Sequence, residues 1–179
     1  MLTGIRLISE AAELAARRHS GQQRKGRGDE PYVNHLAEVA NLLSAATQGE
    51  DAELVAAGWL HDTLEDTGTT HEELAQRFGL RVAGLVDECT DDMNLPKSER
   101  RQKQIEDAPG KSPGARLIKI ADKVSNVRAR IFSSPSQAQR EELADYVAWA
   151  EQVVDRCRGV NGTLDSLFDE AIANAKSTL

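Results

Sequence analysis

The chain has 179 residues, 40% of them hydrophobic, 28% charged and only 4% aromatic. That length can bury a sizeable core in one domain, and the balance excludes a chain that is disordered throughout. A formal charge of −7 argues against a protein that grips nucleic acid along a basic face, although a local basic cluster can still hold a small anion.

The first helix is predicted from about Gly4 to His19, with Ile5, Ile8, Ala12, Ala15 and Ala16 at helical period. A loop rich in glycine follows, from Ser20 to Pro31. A second helix opens near Asn34 and carries Leu36, Val39, Ala40 and Leu43 on one face. A third runs from about Asp51 to the region of His61, with Leu54, Val55, Gly58 and Trp59. Thr70 and Glu73 have the spacing of a capping box, so a short helix starts there and ends near Phe78 and Gly79. Another runs to about Cys89. The stretch from Leu95 to Ala108 is polar on nearly every side and reads as an exposed helix or a mobile flap. Ser112 and Pro113 open a helix with Leu117, Ile118, Ala121 and Val124 on its apolar face. Pro135 to Arg158 is a long helix and Thr163 to Lys176 a last one. No segment alternates like a strand, so the expectation is an all-α chain of one domain.

No apolar run approaches the roughly 18 residues that suggest a membrane span, and Met1 to Glu10 lack the pattern of a signal peptide. Cys89 and Cys157 lie far apart and read as reduced thiols. The expected compartment is the cytoplasm, with neither membrane nor nucleic acid as a partner.

The segment Gly58 to Asp66 carries the first sign of chemistry. His61 and Glu65 are four apart, as are Asp62 and Asp66, so on a helix each pair shares a face. One turn would then present an imidazole and three carboxylates, which repel one another unless a cation joins them. The plain alternative is a solvated, acidic helix end. Two distant segments add to the set: His35 after the glycine-rich loop, and Asp122 inside an apolar helix, where an acid needs a partner. A salt bridge to a neighbouring lysine would also satisfy Asp122, and a lone histidine such as His35 is often structural. Together His35, His61, Asp62 and Asp122 form a nitrogen and oxygen set that suits Mn²⁺, Fe²⁺ or Zn²⁺ better than Ca²⁺. Four protein ligands on an octahedral ion would leave two positions for water and substrate. His19 reads as a helix-end residue and His71 as solvated. Arg17, Arg18, Arg24, Lys25 and Arg27 concentrate cations near His35, as a phosphate site or as a solvated basic loop.

The order His35, His61-Asp62, Asp122 resembles the H…HD…D pattern of the HD phosphohydrolases. Arg24-Lys25, Glu30-Pro31-Tyr32, Leu60-His61-Asp62-Thr63, Glu65-Asp66-Thr67 and Lys119-Ile120-Ala121-Asp122-Lys123 are similar to the hydrolase domain of RelA/SpoT homologues. Phe78-Gly79, Thr90-Asp91-Asp92, Leu95-Pro96-Lys97 and Ser112-Pro113-Gly114-Ala115 extend the match. The length looks most like the small alarmone hydrolases of the metazoan SpoT-homologue type. The resemblance covers about residues 5 to 158 and leaves no room for a synthetase domain.

It implies an HD helical bundle of about eight to ten helices, spanning 1–179 with a C-terminal helical extension at 159–179. It implies Mn²⁺-dependent removal of the 3′-pyrophosphate of (p)ppGpp, giving GDP or GTP and pyrophosphate. His35, His61, Asp62 and Asp122 would hold the metal, with Zn²⁺ or Fe²⁺ as other candidates, and Glu65 and Asp66 would orient or activate water. Arg24, Lys25, Lys97, Asn126 and Tyr146 would bind the guanosine polyphosphate. The family usually has proline where this chain has Leu36, a change at a helix start and away from any ligand, and Glu142 is an acid near the expected polyphosphate. The rival expectations are an HD phosphohydrolase for NADPH or another nucleotide, and a nucleotide-sensing HD module without catalysis.

Overall fold

A computed structural model describes residues 3–24, 29–132 and 135–179. Among them the chain forms α1 (Gly4–Arg18), α2 (Val33–Ala46), α3 (Ala52–Leu60), α4 (Thr63–Asp66), α5 (His71–Phe78), α6 (Leu80–Cys89), α7 (Lys97–Asp107), α8 (Pro113–Ala129), α9 (Gln137–Cys157) and α10 (Gly162–Lys176), with a 3-10 turn at Ala108–Gly110. The described residues hold no strand; a single antiparallel bridge joins Gln23 and Pro31. The all-α expectation holds.

Short polar side chains start several helices. Asp51 accepts from the Leu54 amide, Thr70 from that of Glu73, and Ser112 from that of Ala115, each closing an amide that a helix start leaves open. Ser136 and Gln139 form a reciprocal capping box on α9. Thr70 does cap α5, while the Glu73 carboxylate reaches across to Arg18 at 2.7 Å.

The helix that organises the others is α8, which packs against α2, α3, α6, α9 and α10. Leu117, Ile118, Ile120, Ala121, Val124 and Val127 are all buried, and so are Lys119, Lys123 and Ser125, so it is enclosed on most sides, as a central helix must be. Leu164, Phe168 and Ala171 of α10 join the same core. The inward face of α1 departs from expectation: Leu7, Ala11, Leu14 and Ala15 are buried, whereas Ile5 is 85% exposed. Leu7 and Leu14 lie two turns apart, and that spacing outweighs the stripe begun by Ile5 and Ile8.

The expected helix through His61 stops at Leu60, and one turn, α4, follows. The His61 ring takes the Gly58 carbonyl at 2.8 Å and the Thr63 hydroxyl takes that of Leu60 at 2.6 Å. Side chains thus compete for carbonyls that a continuing helix would use. Gly58 lies where α3 presses on α2: a Cβ there would meet Leu43 Cδ1 at 2.5 Å and Ala40 Cα at 3.4 Å. The bare backbone lets the two helices, and the histidines at their ends, approach.

The polar stretch after Pro96 is helical, and α7 buries none of its side chains. Trp149 donates to the Arg101 carbonyl at 3.1 Å, Arg101 pairs with Asp145 at 2.7 Å and Gln104 donates to Asp91 at 2.6 Å. Polar contacts and the Arg101 guanidinium over the Trp149 ring hold this helix in place.

Asp51 combines its cap with two 2.6 Å hydrogen bonds from Arg81. Those bonds, against a smaller effect of burial, hold its carboxyl below the ordinary range. A depressed folded-state pKa gives stability that is present above the unfolded value near about pH 4 and is lost as pH falls through the folded value. Urea unfolding of Asp51→Ala is expected to show a loss of about 1–2 kcal/mol at neutral pH. Asp51→Asn keeps the cap, and its stability should fall less than that of the parent on acidification.

Candidate active site

His35 lies in the first turn of α2, His61 ends α3, Asp62 starts α4 and Asp122 sits mid-way along α8. Three remote segments therefore meet. His61 Nε2 is 3.1 Å from Asp62 Oδ2 and 3.7 Å from Asp122 Oδ1; His35 Nε2 is 3.5 and 3.2 Å from the same two atoms. The rings lie edge to face with centroids 5.3 Å apart.

A carbonyl can only accept, so the bond from His61 to the Gly58 carbonyl places the ring proton on Nδ1. His61 Nε2 is buried without a hydrogen-bond partner and turned to Asp62 and Asp122. The four imidazole–carboxylate separations, 3.1–3.7 Å, come close to the spacing of about 3.0–3.4 Å between ligands held about 2.0–2.1 Å from one small divalent ion, and His35, His61 and Asp62 offer ligand atoms within 4.8 Å of one another. The residues therefore fit a metal centre. Burial opposes charge on Asp62 and Asp122, yet the facing imidazoles and Lys123 hold both carboxyls well below the ordinary range. The same carboxylates lift both imidazoles against their own burial. The cluster calls for positive charge at its centre.

Both oxygens of Asp122 are also held from the side, Oδ2 by Lys123 at 2.9 Å and Oδ1 by Asn126 at 2.5 Å. The lysine pair expected as an alternative is present together with the imidazoles. Tyr32 donates to Asp62 Oδ2 at 2.6 Å, and its ring lies between those of His19 and His35. His19 is buried and bonded to Gln22, and His71 lies 3.9 Å from Asp87.

A cavity of about 500 Å³ opens beside this cluster, and Glu65, Asp66, Asn126, Lys119, Lys123, Arg100 and Arg130 are among its walls. Glu65 accepts from the Asp91 amide at 3.1 Å and lies 3.8 Å from Arg100. Burial raises its carboxyl, the amide bond opposes that, and the nearby carboxylates of Asp91, Asp62 and Asp66 leave it above the ordinary range. The Asp66 amide bonds to the Asp62 carbonyl, which keeps these two residues on one helical turn.

The predicted binding residues divide. Asn126 lies in this cavity; Lys97 and Tyr146 line an adjoining hollow of about 250 Å³ that shares Asp91, Arg100, Gln104 and Arg130 with it. Tyr146 is buried beneath the Arg130 guanidinium, 3.8 Å from its ring centre, with Trp149 edge-on at 5.4 Å. Arg24 reaches the cavity wall but is only 6% exposed, and its Nη2 donates to the Ser125 carbonyl and hydroxyl at 2.7 and 2.6 Å. Its Nη1 lies 3.6 Å from Glu30 and 3.5 Å from Glu38. Arg17 pairs with Glu13 and Arg18 with Glu73 beside a separate groove. Lys25 and Arg27 fall outside the described residues.

Sequence reasoning passed over Glu38, Ser125, Arg100, Gln104 and Arg130. Glu38 and Ser125 each stand three residues after a residue of the cluster, His35 or Asp122, on the same helix, a spacing that puts them beside it.

Histidines and aspartates in this order on an all-helical bundle define an HD domain. Residues 11–149 match the family described as HD domain, and the chain belongs to it. It is 42% identical over 167 residues to guanosine-3′,5′-bis(diphosphate) 3′-pyrophosphohydrolase MESH1 of Mus musculus, covering 91% of this chain and 93% of that one. Identity to the Homo sapiens protein of the same name is 44% over 158 residues, with 88% of each chain covered. A solved structure described as a metazoan orthologue of SpoT that hydrolyses ppGpp superimposes with a TM-score of 0.89 at 38% identity, over the whole of both chains. Within the HD family the chain groups with these metazoan relatives.

Chelator-stripped protein titrated with Mn²⁺, followed by the paramagnetic resonance of the free ion, should bind one equivalent. Asp122→Asn should weaken binding more than about 100-fold, since even groups that merely support ligands cost about 10–100-fold. Helical circular dichroism should be retained.

Proposed function

We propose that the chain hydrolyses the 3′-pyrophosphate of guanosine 3′,5′-bis(diphosphate) and of its triphosphate analogue, releasing pyrophosphate with GDP or GTP, and that Mn²⁺ is its resident ion. The observation that carries this reading is the convergence of two imidazoles and two carboxylates at 3.1–3.7 Å beside a cavity that also holds Glu65 and Asp66. The names borne by relatives matched along nearly their whole length support the substrate. Buried, unpaired Cys89 and Cys157 agree with a reducing compartment such as the cytoplasm. We take the whole of 1–179 as one hydrolase domain, since α10 shares the core of α8.

His35, His61, Asp62 and Asp122 would hold the divalent ion, which would supply Lewis acidity toward water and a phosphoryl oxygen. Glu65, its carboxyl raised by burial and by its acidic neighbours, takes the proton of the attacking water, with Asp66 beside it. A new oxygen–phosphorus bond forms as the bond from phosphorus to the 3′ oxygen breaks, and that oxygen leaves with a proton. Arg100 and Arg130 face the cavity with positive charge that offsets the polyphosphate, while the buried Lys119 and Lys123 stay paired with protein groups. Asn126 lies on the Asp122 side of the cavity, near the reacting phosphate. The adjoining hollow at Tyr146 and Lys97 receives the rest of the nucleotide. Because the guanidinium of Arg24 is engaged by protein acceptors, we assign it to support of the site and leave phosphate contact to the other cations.

Incubation with ppGpp should release pyrophosphate only when Mn²⁺ is added. Phosphate from NADPH alone would replace the substrate, and tight ppGpp binding without turnover would replace catalysis by sensing. Glu65→Gln and Asp66→Asn should each lower kcat by about 10²–10⁴-fold while Mn²⁺ affinity persists. Full activity in Asp66→Asn would remove its role.

A further inference from the structure

Three polar groups behind His35 take no part in the chemistry described so far. His35 Nδ1 lies 2.9 Å from the Ser125 hydroxyl oxygen. That hydroxyl lies 2.6 Å from Glu38 Oε2, and Arg24 Nη2 donates to the same oxygen at 2.6 Å. Arg24, His35 and Ser125 are all buried, so water does not compete for these bonds.

A hydroxyl has one proton to give and two lone pairs to receive with. Arg24 is a donor and fills one lone pair. Burial pushes the Glu38 carboxyl up, but the Ser125 hydroxyl, Arg128 and Arg24 together hold it below the ordinary range, so it is an ionised acceptor. The one Ser125 proton therefore goes to Glu38. The remaining lone pair faces His35 Nδ1, which must bring the proton to that contact. In the neutral ring, the form that binds a metal, His35 Nε2 is then left bare, turned to Asp62 and Asp122, as His61 Nε2 is through the Gly58 carbonyl.

Without the Ser125 oxygen, the polar group nearest this face of the ring is Arg24 Nη2, 3.5 Å from Nδ1 and itself a donor. It would favour a lone pair on Nδ1 and a proton on Nε2, pointing into the metal centre. Without the Glu38 acceptor, the Ser125 proton is free to turn to Nδ1, with the same result.

We propose that Glu38, acting through Ser125, is the positioning group that fixes His35 in the tautomer able to bind a divalent ion, with buried Arg24 as its counter-charge. This rests on the metal-centre reading above. It gives Glu38 and Arg24 a role in ion affinity, separate from substrate recognition and from proton transfer.

The test measures Mn²⁺ dissociation constants for the full-length protein and for Ser125→Ala, Ser125→Thr and Glu38→Met, together with kcat at saturating Mn²⁺. Ser125→Ala and Glu38→Met should each raise the dissociation constant about 10–100-fold, while Ser125→Thr, which keeps the hydroxyl, stays within about threefold of the parent. At saturating Mn²⁺ all three should keep kcat within a few fold. Thermal midpoints in chelator should drop no more for Ser125→Ala than for Ser125→Thr. Unchanged affinity in Ser125→Ala overturns the proposal, and so does a Ser125→Thr variant as weak as Ser125→Ala, which would make the effect one of packing. If Glu38→Met fails to fold, the alanine and threonine pair still decides. A parent protein that binds no divalent ion would instead remove the metal centre itself.

Discussion

Two half-buried carboxylates, Asp62 and Asp122, each within 3.7 Å of two imidazole nitrogens, set the terms for the rest of the molecule. A cluster with that much negative charge and that little water is tolerable only if a cation completes it and the scaffold cannot relax away from it. The scaffold meets the second condition through burial. Asp122 rides on α8, the helix enclosed by five others, and the two histidines stand where α2 and α3 meet across Gly58. The proposed ligands inherit the stiffness of a packed core, because they sit on helices or at helix ends rather than on the glycine-rich loop.

The surrounding charges fall into two groups with different tasks. Arg24 and Lys123 are nearly inaccessible and face protein acceptors: Arg24 meets Ser125, Glu30 and Glu38, and Lys123 meets Asp122 and the Trp149 ring. Arg100 and Arg130 stand between the two hollows and are shared by both. A basic residue near a phosphate site in sequence therefore says little about what it touches. Burial and the number of competing acceptors decide.

Much of this was legible in the residues. The spacing of apolar positions in α2 and α8, the helix starts at Thr70 and Ser112, and the polarity of α7 follow from local chemistry. The convergence of the proposed ligands was foreshadowed because acids and imidazoles inside apolar helices need a partner and because their order resembles a known pattern. What stayed hidden depends on three-dimensional competition. The break after Leu60 arises from side chains capturing carbonyls. The rotation of α1 arises from the packing of Leu7 and Leu14. The fate of Arg24 depends on Glu38 and Ser125, which come from separate helices and signal nothing singly.

Helix α7 forms part of the rim shared by both hollows, yet it contributes no side chain to the core. What binds it is electrostatic, and electrostatic attachment between partly exposed groups weakens as the ionic atmosphere thickens. A segment with few buried contacts has a low cost of local opening, well below that of unfolding the bundle. Displacing this rim would therefore cost less than disturbing the packed helices from which the histidines and Asp122 project.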